Sequence, residues 1–155
     1  MVSGAKASFY SVSYGACHLD LIPYATTRKW TELTTRQRSS LVAVASDTLG
    51  LLLRDSPVRI LILNGRSVVE QFQDVAGIRL ERQHMRTWSL SRKPKPNVTG
   101  LAYRGVVHTL SGITLPHEIL VLGYNHNLQS SFGVTNEVIV AIRDWISRAA
   151  NEATA

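Results

Sequence analysis

Residues 58–72, "VRILILNGRSVVEQF", decide the fold, because an apolar run there passes through a tight turn into a helical pattern. The run 58–63 is rich in branched side chains and apolar on both faces, which is typical of a strand covered by helices on each side. Asn64-Gly65 turns the chain, and the residues behind it predict a short helix that stops at Gly77. Strand, turn and helix in succession indicate a parallel sheet.

Other apolar stretches predict further strands of the same sheet. Residues 16–22 alternate loosely between apolar and polar side chains. Residues 118–123, "EILVLG", form a second continuous apolar run. Residues 101–115 predict two short strands around Ser111-Gly112, which is a hairpin signal.

Helical patterns separate these strands. Thr34 and Gln37 have the spacing of a capping box, and apolar residues recur behind them at intervals of three and four as far as Arg54. A closing helix, capped by Thr135 or Asn136, carries an apolar face made of Val138, Ile142, Trp145 and Ala149. The sequence therefore predicts one α/β domain spanning all 155 residues, a three-layer α/β/α arrangement with a central, mainly parallel sheet.

The amino-acid composition indicates which cellular environment and which binding partners to expect. The chain carries 17 Lys+Arg against 11 Asp+Glu, a net charge of +6, and this excess favours polyanionic partners, nucleic acid first. Cys17 is the only cysteine, which excludes an intrachain disulfide and fits a reducing cytoplasm. No apolar run approaches the ~20 residues that cross a bilayer, so we expect a cytoplasmic protein without a membrane partner.

The sequence lacks the motifs that are typical of several kinds of functional site. The histidines show no HxxxH or HxH spacing, and the chain has no cysteine cluster, so no metal site is expected. No G-x-S-x-G elbow and no Gly-rich phosphate-binding motif occurs. We therefore expect no cofactor.

Polar residues lie at the ends of three of the predicted strands. Asp20, near the end of the first predicted strand, runs into Pro23-Tyr24. Asn64-Gly65 follows the second strand and Asn125-His126-Asn127 the last. In open α/β sheets, ligands collect outside the carboxyl ends of the strands. We therefore expect these clusters to meet at one edge of the sheet and to form a site.

A cation-rich segment lies between the second predicted helix and the hairpin. Residues 78–91 look extended, whereas 92–97, "RKPKPN", is expected to lack regular structure because its prolines remove hydrogen-bond donors. Because His84 and Trp88 lie among these cations, the segment could follow a phosphate backbone and stack on bases. It could equally be a strand face whose charges are simply solvated. The predicted nucleic-acid-binding residues are Arg82, Arg86, Arg92, Lys93 and Lys95.

Three stretches together resemble the later segments of the uracil-DNA glycosylase superfamily. They are "ACHLDLIPYATTRKWTEL" (16–33), "VRILILNGRSVVEQF" (58–72) and "ILVLGYNHNLQSSFGVTNEVIVAIRDWI" (119–146). In that family an Asn-led segment follows one strand, a short turn precedes a helix after the next strand, and the last strand runs into a histidine loop before a terminal helix. The order and the rough spacing match over about residues 15–149.

The resemblance implies a role for each polar cluster. His126 falls on the histidine that stabilises the anionic base as the glycosidic bond breaks. Asp20 falls on the asparagine that reads the base edge, where a carboxylate would accept from an amino-bearing base. Asn64 and Gly65 fall on the turn near the DNA backbone. The other implied substrate contacts are Tyr24, Asn125, Asn127, Leu128, Ser130 and Ser131.

The family's first motif, which positions or activates water, has no counterpart before Asp20. The resemblance therefore implies a glycosylase-like domain that is truncated or divergent at its N-terminus. The expected function is metal-independent hydrolysis of the N-glycosidic bond of a flipped, uracil-type base in DNA repair. The alternatives are a catalytically inactive nucleic-acid or protein binding domain that keeps the sheet, and a small-molecule α/β domain unrelated to DNA.

Overall fold

A four-stranded sheet forms the centre of the structure, a computed structural model that describes residues 15–24, 26–128 and 133–154. The strands along the chain are β1 (Ile60–Asn64), β2 (Glu81–His84), β3 (Leu90–Arg92), β4 (Lys95–Val98), β5 (Leu101–Leu110) and β6 (Ile113–Tyr124). The helices are α1 (Thr35–Ala45), α2 (Thr48–Arg54), α3 (Arg66–Ala76) and α4 (Asn136–Thr154). The central sheet has the order β1-β6-β5-β2, and β3 pairs with β4 separately.

The central sheet is mostly antiparallel, so the predicted mainly parallel sheet is wrong, although the mixed α/β class is confirmed. β1 pairs with β6 in parallel, but β6 pairs with β5, and β5 with β2, in antiparallel register. The reason is the tight turn between β5 and β6, which returns the chain directly beside itself. Parallel neighbours need a longer crossover connection.

The hairpin turn at Ser111-Gly112 is confirmed. Both residues have positive φ, 48° for Ser111 and 79° for Gly112, as two-residue hairpin turns of the primed type require. β6 then runs to Tyr124, with a shift in its register with β5 between Val107 and Thr109. The apolar run predicted as a separate strand at 118–123 therefore belongs to the second half of β6. Residues 119–124 are all buried, because helices cover both faces of the sheet at this point.

Alternation along β6 divides the core between the two faces. Val121 packs with Val69 and Phe72 of α3 on one face, whereas Leu122 packs with Ile142 of α4 on the other. Full burial of an apolar side chain of this size contributes about 1.5–3 kcal/mol. Packing on both faces therefore fixes the positions of the ends of β1 and β6.

The long helix predicted after Thr34 is two helices. Its start is confirmed, because the Thr34 hydroxyl accepts from the Gln37 amide while the Gln37 side chain accepts from the Thr34 amide. α1 ends at Ala45, and the Ser46 hydroxyl donates to the Ala43 carbonyl at 3.2 Å. A serine that bonds to the preceding turn competes with the helical backbone, which accounts for the break before α2.

Residues 16–22 do not form the predicted strand. The chain is irregular as far as Asp20 and bends at Leu21 and Ile22. Loose alternation favours an extended chain but does not provide a partner for its backbone hydrogen bonds, which a strand needs. Leu21 packs against the core on the α3 face, so apolar contact anchors the segment.

Residues 92–97, expected to be irregular, belong instead to a two-stranded hairpin. Leu90 lies opposite Val98 and Arg92 opposite Lys95 in an antiparallel pair. Prolines are tolerated in turns and on edge strands, so Pro94 and Pro96 do not prevent the pairing of β3 with β4. We call residues 90–98 the basic hairpin.

α4 closes the fold, and its predicted cap is confirmed at Thr135. The Thr135 hydroxyl accepts from the Val138 amide at 3.4 Å. The buried face of α4 carries Ile142 and Ile146, whereas Arg143 and Asp144 are exposed on the opposite side. Among the described helices, none combines the length and the apolar content that crossing a membrane requires.

Candidate functional site

The carboxyl ends of β1 and β6 lie side by side, as the sequence predicts for two of the three polar clusters. Asn64 is the parallel partner of Tyr124, the last residue of β6. The Gly65 amide donates to the Tyr124 carbonyl at 3.0 Å. The turn after β1 is therefore bonded directly to the start of residues 125–128, which we call the histidine loop.

Asn64 ties the turn to the far end of the histidine loop. Its Oδ1 accepts from the Leu128 amide at 3.1 Å. In the same region the Arg66 amide, at the start of α3, donates to the Asn125 carbonyl at 3.2 Å. Asn64 thus uses its amide oxygen to hold the end of the histidine loop.

Gly65 has a backbone conformation that favours glycine. Its φ is 98°, a region that L side chains rarely adopt. A Cβ added there would lie 3.6 Å from the Cβ of Asn127, which is an ordinary contact. The conformation, rather than a lack of space, explains the glycine between the strand and α3.

Asn125 joins the histidine loop to the start of β5. Its Oδ1 accepts from the Leu101 amide at 2.8 Å, and its Nδ2 donates to the Thr99 carbonyl at 2.7 Å. The Asn125 amide in turn donates to the Leu101 carbonyl at 3.2 Å. Asn125 is predicted to contact substrate, and these bonds show that it has a structural role.

His126 points into the protein. Its residue is 4% exposed, and it is the buried polar side chain of the described core. Nε2 lies 2.6 Å from the carbonyl oxygen of Trp88. A carbonyl accepts and does not donate, so Nε2 carries the proton and donates it to Trp88.

The surroundings of His126 favour its neutral form. Burial lowers the pKa of His126, and the nearby charge of Arg92 lowers it further, while the bond to Trp88 opposes both effects. A neutral imidazole with an N–H donor is the state that could stabilise a departing base anion. That donor is engaged by Trp88, so catalysis by Nε2 requires this bond to open first.

The remaining residues of the predicted site do not all lie near the histidine loop in the described structure. Leu128 is half-buried and packs against the core on the α4 face. Asp20 and Tyr24 are exposed in an irregular segment, and the structure gives neither a hydrogen bond to the histidine loop within the described ranges. Ser130 and Ser131 lie outside the described residues. Within the described ranges, no hydrogen bond therefore links the first polar cluster to the other two.

A shallow, open surface depression of about 390 Å³ lies elsewhere on the molecule. Its lining residues are Gln73, Asp74, Gly77, Ile78 and Arg79. They stand at the C-terminal end of α3, whereas the histidine loop contacts its start. At a rise of about 1.5 Å per residue, the 11 residues of α3 separate the two places by about 16 Å.

The five predicted nucleic-acid contacts, which we call the basic surface, all lie within residues 82–95. All five side chains are exposed, and none forms an ion pair with a carboxylate that the structure describes. The arginines that do form ion pairs are Arg54, Arg66, Arg79, Arg104 and Arg143. Residues 82–117 contain no Asp or Glu at all, so the basic surface has no acidic residue within its own stretch of chain.

Trp88 has a different role from the predicted one. The base-stacking role is wrong, because the side chain is fully buried and meets the ring of Trp145 edge-on at 5.5 Å. Its carbonyl accepts from His126, so Trp88 connects the histidine loop to the basic hairpin that begins two residues later. Sequence reasoning missed this connection, because a tryptophan among cations has the same pattern in a stacking site and in a core.

No group of three or more metal-binding side chains occurs within the described ranges. The polar groups brought together at the sheet edge are amides, an imidazole and backbone N–H groups. They can donate and accept hydrogen bonds but do not include a carboxylate. Comparison with known proteins gave no match to a protein-family model, a curated protein or a solved structure.

Proposed function

We propose that this chain is a nucleic-acid binding domain that contacts DNA through its basic surface. The observation that carries the proposal is the set of five exposed cations, Arg82, Arg86, Arg92, Lys93 and Lys95, without carboxylate partners. Cations that neutralise phosphates release counterions, and this release drives association with DNA. The resemblance to uracil-DNA glycosylases supports DNA as the partner.

The contrast with the other arginines supports a binding role over a merely solvated face. Some arginines elsewhere, such as Arg54 and Arg143, have carboxylates beside them, at 3.0 Å and 4.0 Å, and others, such as Arg28, Arg36 and Arg148, have none among the described residues. The five cations differ from both groups because they lie together in a stretch, residues 82–117, that contains no Asp or Glu. A protein that needed charge only for solubility could mix both signs on this face as well. The unmixed charge of the basic surface instead favours a polyanion.

The test is the salt dependence of DNA affinity in two variants of equal net charge. Substituting Gln for all five cations of the basic surface lowers the net charge from +6 to +1. The control makes the same change at exposed arginines elsewhere: Arg28, Arg36, Arg54, Arg143 and Arg148. Each lost phosphate contact should reduce the slope of log affinity against log salt by about 0.9.

We expect the first variant to lose most of the slope and the control to keep most of it. Equal losses in both would mean that only net charge matters and would remove the basic surface from the proposal. Absence of DNA binding by the wild-type chain at low salt would remove the proposal itself.

Base excision is the second candidate function. The observation that favours it is the meeting of Asn64-Gly65 with the histidine loop at one sheet edge. His126 would stabilise the leaving base after its bond to Trp88 opens, and Asp20 would read the base or position water. Both roles depend on the resemblance to the glycosylases.

The test of base excision is release of uracil from a uracil-containing duplex by the wild-type chain and by His126→Ala. Excision that is lost in the variant, with DNA binding retained, supports the role of His126. Equal excision by both proteins excludes His126 from the chemistry. No release by the wild-type chain, under conditions where it binds the duplex, leaves DNA binding as the function.

A further inference from the structure

The tip of the basic hairpin places two like charges directly opposite each other. Arg92 and Lys95 are partners in the antiparallel register of β3 and β4, and Lys93 lies in the turn between them. All three are exposed and without a carboxylate partner among the described residues. Like charges in directly opposed positions destabilise a strand pair, and an anion placed between them removes the repulsion.

The hairpin is fixed at its base and projects from it. Leu90 is 4% exposed, and Val98 packs against the same core on the α4 face. Behind the hairpin, Gly100 lies so close to the preceding turn that an added Cβ would be 2.6 Å from the Met85 carbonyl oxygen. All seven residues between Leu90 and Val98 are exposed, so a firmly packed base presents a solvated tip.

The dimensions of this tip match one groove of duplex DNA. Strands of the pair stand about 4.8 Å apart, and three residues from Leu90 to the turn reach about 10 Å. The major groove of B-form DNA is about 12 Å wide and about 8.5 Å deep and admits a two-stranded ribbon, whereas the minor groove is about 6 Å wide. We propose that the basic hairpin enters the major groove of duplex DNA, an inference that rests on the proposed DNA binding.

Other nucleic acids fit the hairpin less well. Single strands are held on exposed aromatic rings, and the aromatic ring of this stretch, Trp88, is fully buried. The major groove of A-form RNA is too narrow for side chains to read. The geometry therefore favours duplex DNA over both alternatives.

The position of Arg92 sets the orientation of the duplex. Its Nη2 lies 4.0 Å from the place where a Cβ on Gly133 would stand, and its charge acts on His126. The Arg92 side chain therefore extends toward Gly133, which follows the histidine loop in the sequence. A duplex held by the hairpin would pass next to the edge that carries Asn64 and His126.

The test is methylation of a short duplex saturated with the wild-type chain. Dimethyl sulfate modifies guanine N7, which lies in the major groove, and adenine N3, which lies in the minor groove. We expect protection of guanine N7 with little protection of adenine N3. At saturation, the triple variant Arg92→Gln, Lys93→Gln and Lys95→Gln should lose this protection, and the control triple Arg36→Gln, Arg54→Gln and Arg143→Gln should keep it.

Each contrary result identifies which proposal fails. Protection of adenine N3, or salt-dependent binding that protects neither atom, overturns groove insertion and leaves DNA binding standing. A chain that binds no DNA overturns the proposed function instead. Duplex RNA should compete at least about tenfold less well than duplex DNA, and equal competition also contradicts insertion into the major groove.

Discussion

The histidine loop and the basic hairpin are both polar segments with residues predicted to bind a ligand, yet the protein uses them in opposite ways. In the histidine loop, the side chains of Asn125 and His126 form hydrogen bonds with backbone atoms of other segments. In the basic hairpin, the cations of the tip have no carboxylate partner in the described chain. A polar side chain whose partners lie inside the protein supports the structure first, whereas the exposed cations of the hairpin tip are the ones that we propose to bind an external anion.

The largest expected effect comes from Trp88, which the two regions share. Trp88→Ala removes a fully buried ring that contacts Trp145, and such truncations cost about 3–5 kcal/mol in free energy of unfolding. Thermal or denaturant unfolding measures this cost. Trp30→Ala is the control, because Trp30 is half-buried beside Arg38, and a smaller loss is expected there. Equal losses would contradict the expectation that the buried Trp88 ring contributes more to the core than the half-buried Trp30 ring does.

A smaller loss of stability is expected at His126, and it distinguishes a structural role of this side chain from a catalytic one. His126→Phe keeps a ring in the buried site but leaves the Trp88 carbonyl without its donor, which should cost about 1–3 kcal/mol in free energy of unfolding. Denaturant unfolding at pH 8 gives the value. A variant as stable as the wild-type chain would show that the bond does not hold the loop, and would favour a catalytic role for the histidine.

The pH dependence of stability gives a second measure of the same contact. Burial lowers the pKa of folded His126 below its ordinary value of 6.5, so as the pH falls the unfolded chain takes up this proton first. The contribution of neutral His126 to stability is therefore complete above about pH 6.5 and is lost as the pH falls through the folded pKa. We would measure the free energy of unfolding at pH 8, 7, 6 and 5. The wild-type chain should lose this contribution as the pH falls, and His126→Phe should show no such loss.

The smallest expected effect concerns Asn64. Asn64→Ala removes the acceptor of the Leu128 amide and should cost about 1 kcal/mol in free energy of unfolding. Hydrogen exchange at Leu128 should become faster, while exchange in β5 stays unchanged. Unchanged exchange at Leu128 would show that packing, rather than Asn64, holds the end of the histidine loop.

Local signals in the sequence predicted local structure well. The capping box at Thr34 and Gln37 and the turn at Ser111-Gly112 depend on residues only a few positions apart, and both are confirmed. The direction of the sheet was not predictable in this way. It depends on which distant strands pair, and apolar runs such as 58–63 look the same in parallel and antiparallel sheets that are covered on both faces.

The candidate site was predictable only in its position along the chain. The sequence placed Asn64 and the histidine loop at neighbouring strand ends, and the structure brings them together. It did not indicate that His126 turns inward, because the acceptor of its proton lies 38 residues away at Trp88. Nor did it indicate that prolines at 94 and 96 would be compatible with paired strands.

The pairing of β1 with β6 also has a consequence for the order of folding. β5 and β6 close over a turn of two residues, whereas Ile60 meets Leu120 only after the chain between them has been brought back. Closing the longer loop costs more entropy, so we expect the central hairpin to form early and β1 to join late. Pulsed hydrogen exchange during refolding would show this as protection of β5 amides before those of β1, and the edge that carries Asn64 would be the last part of the sheet to be completed.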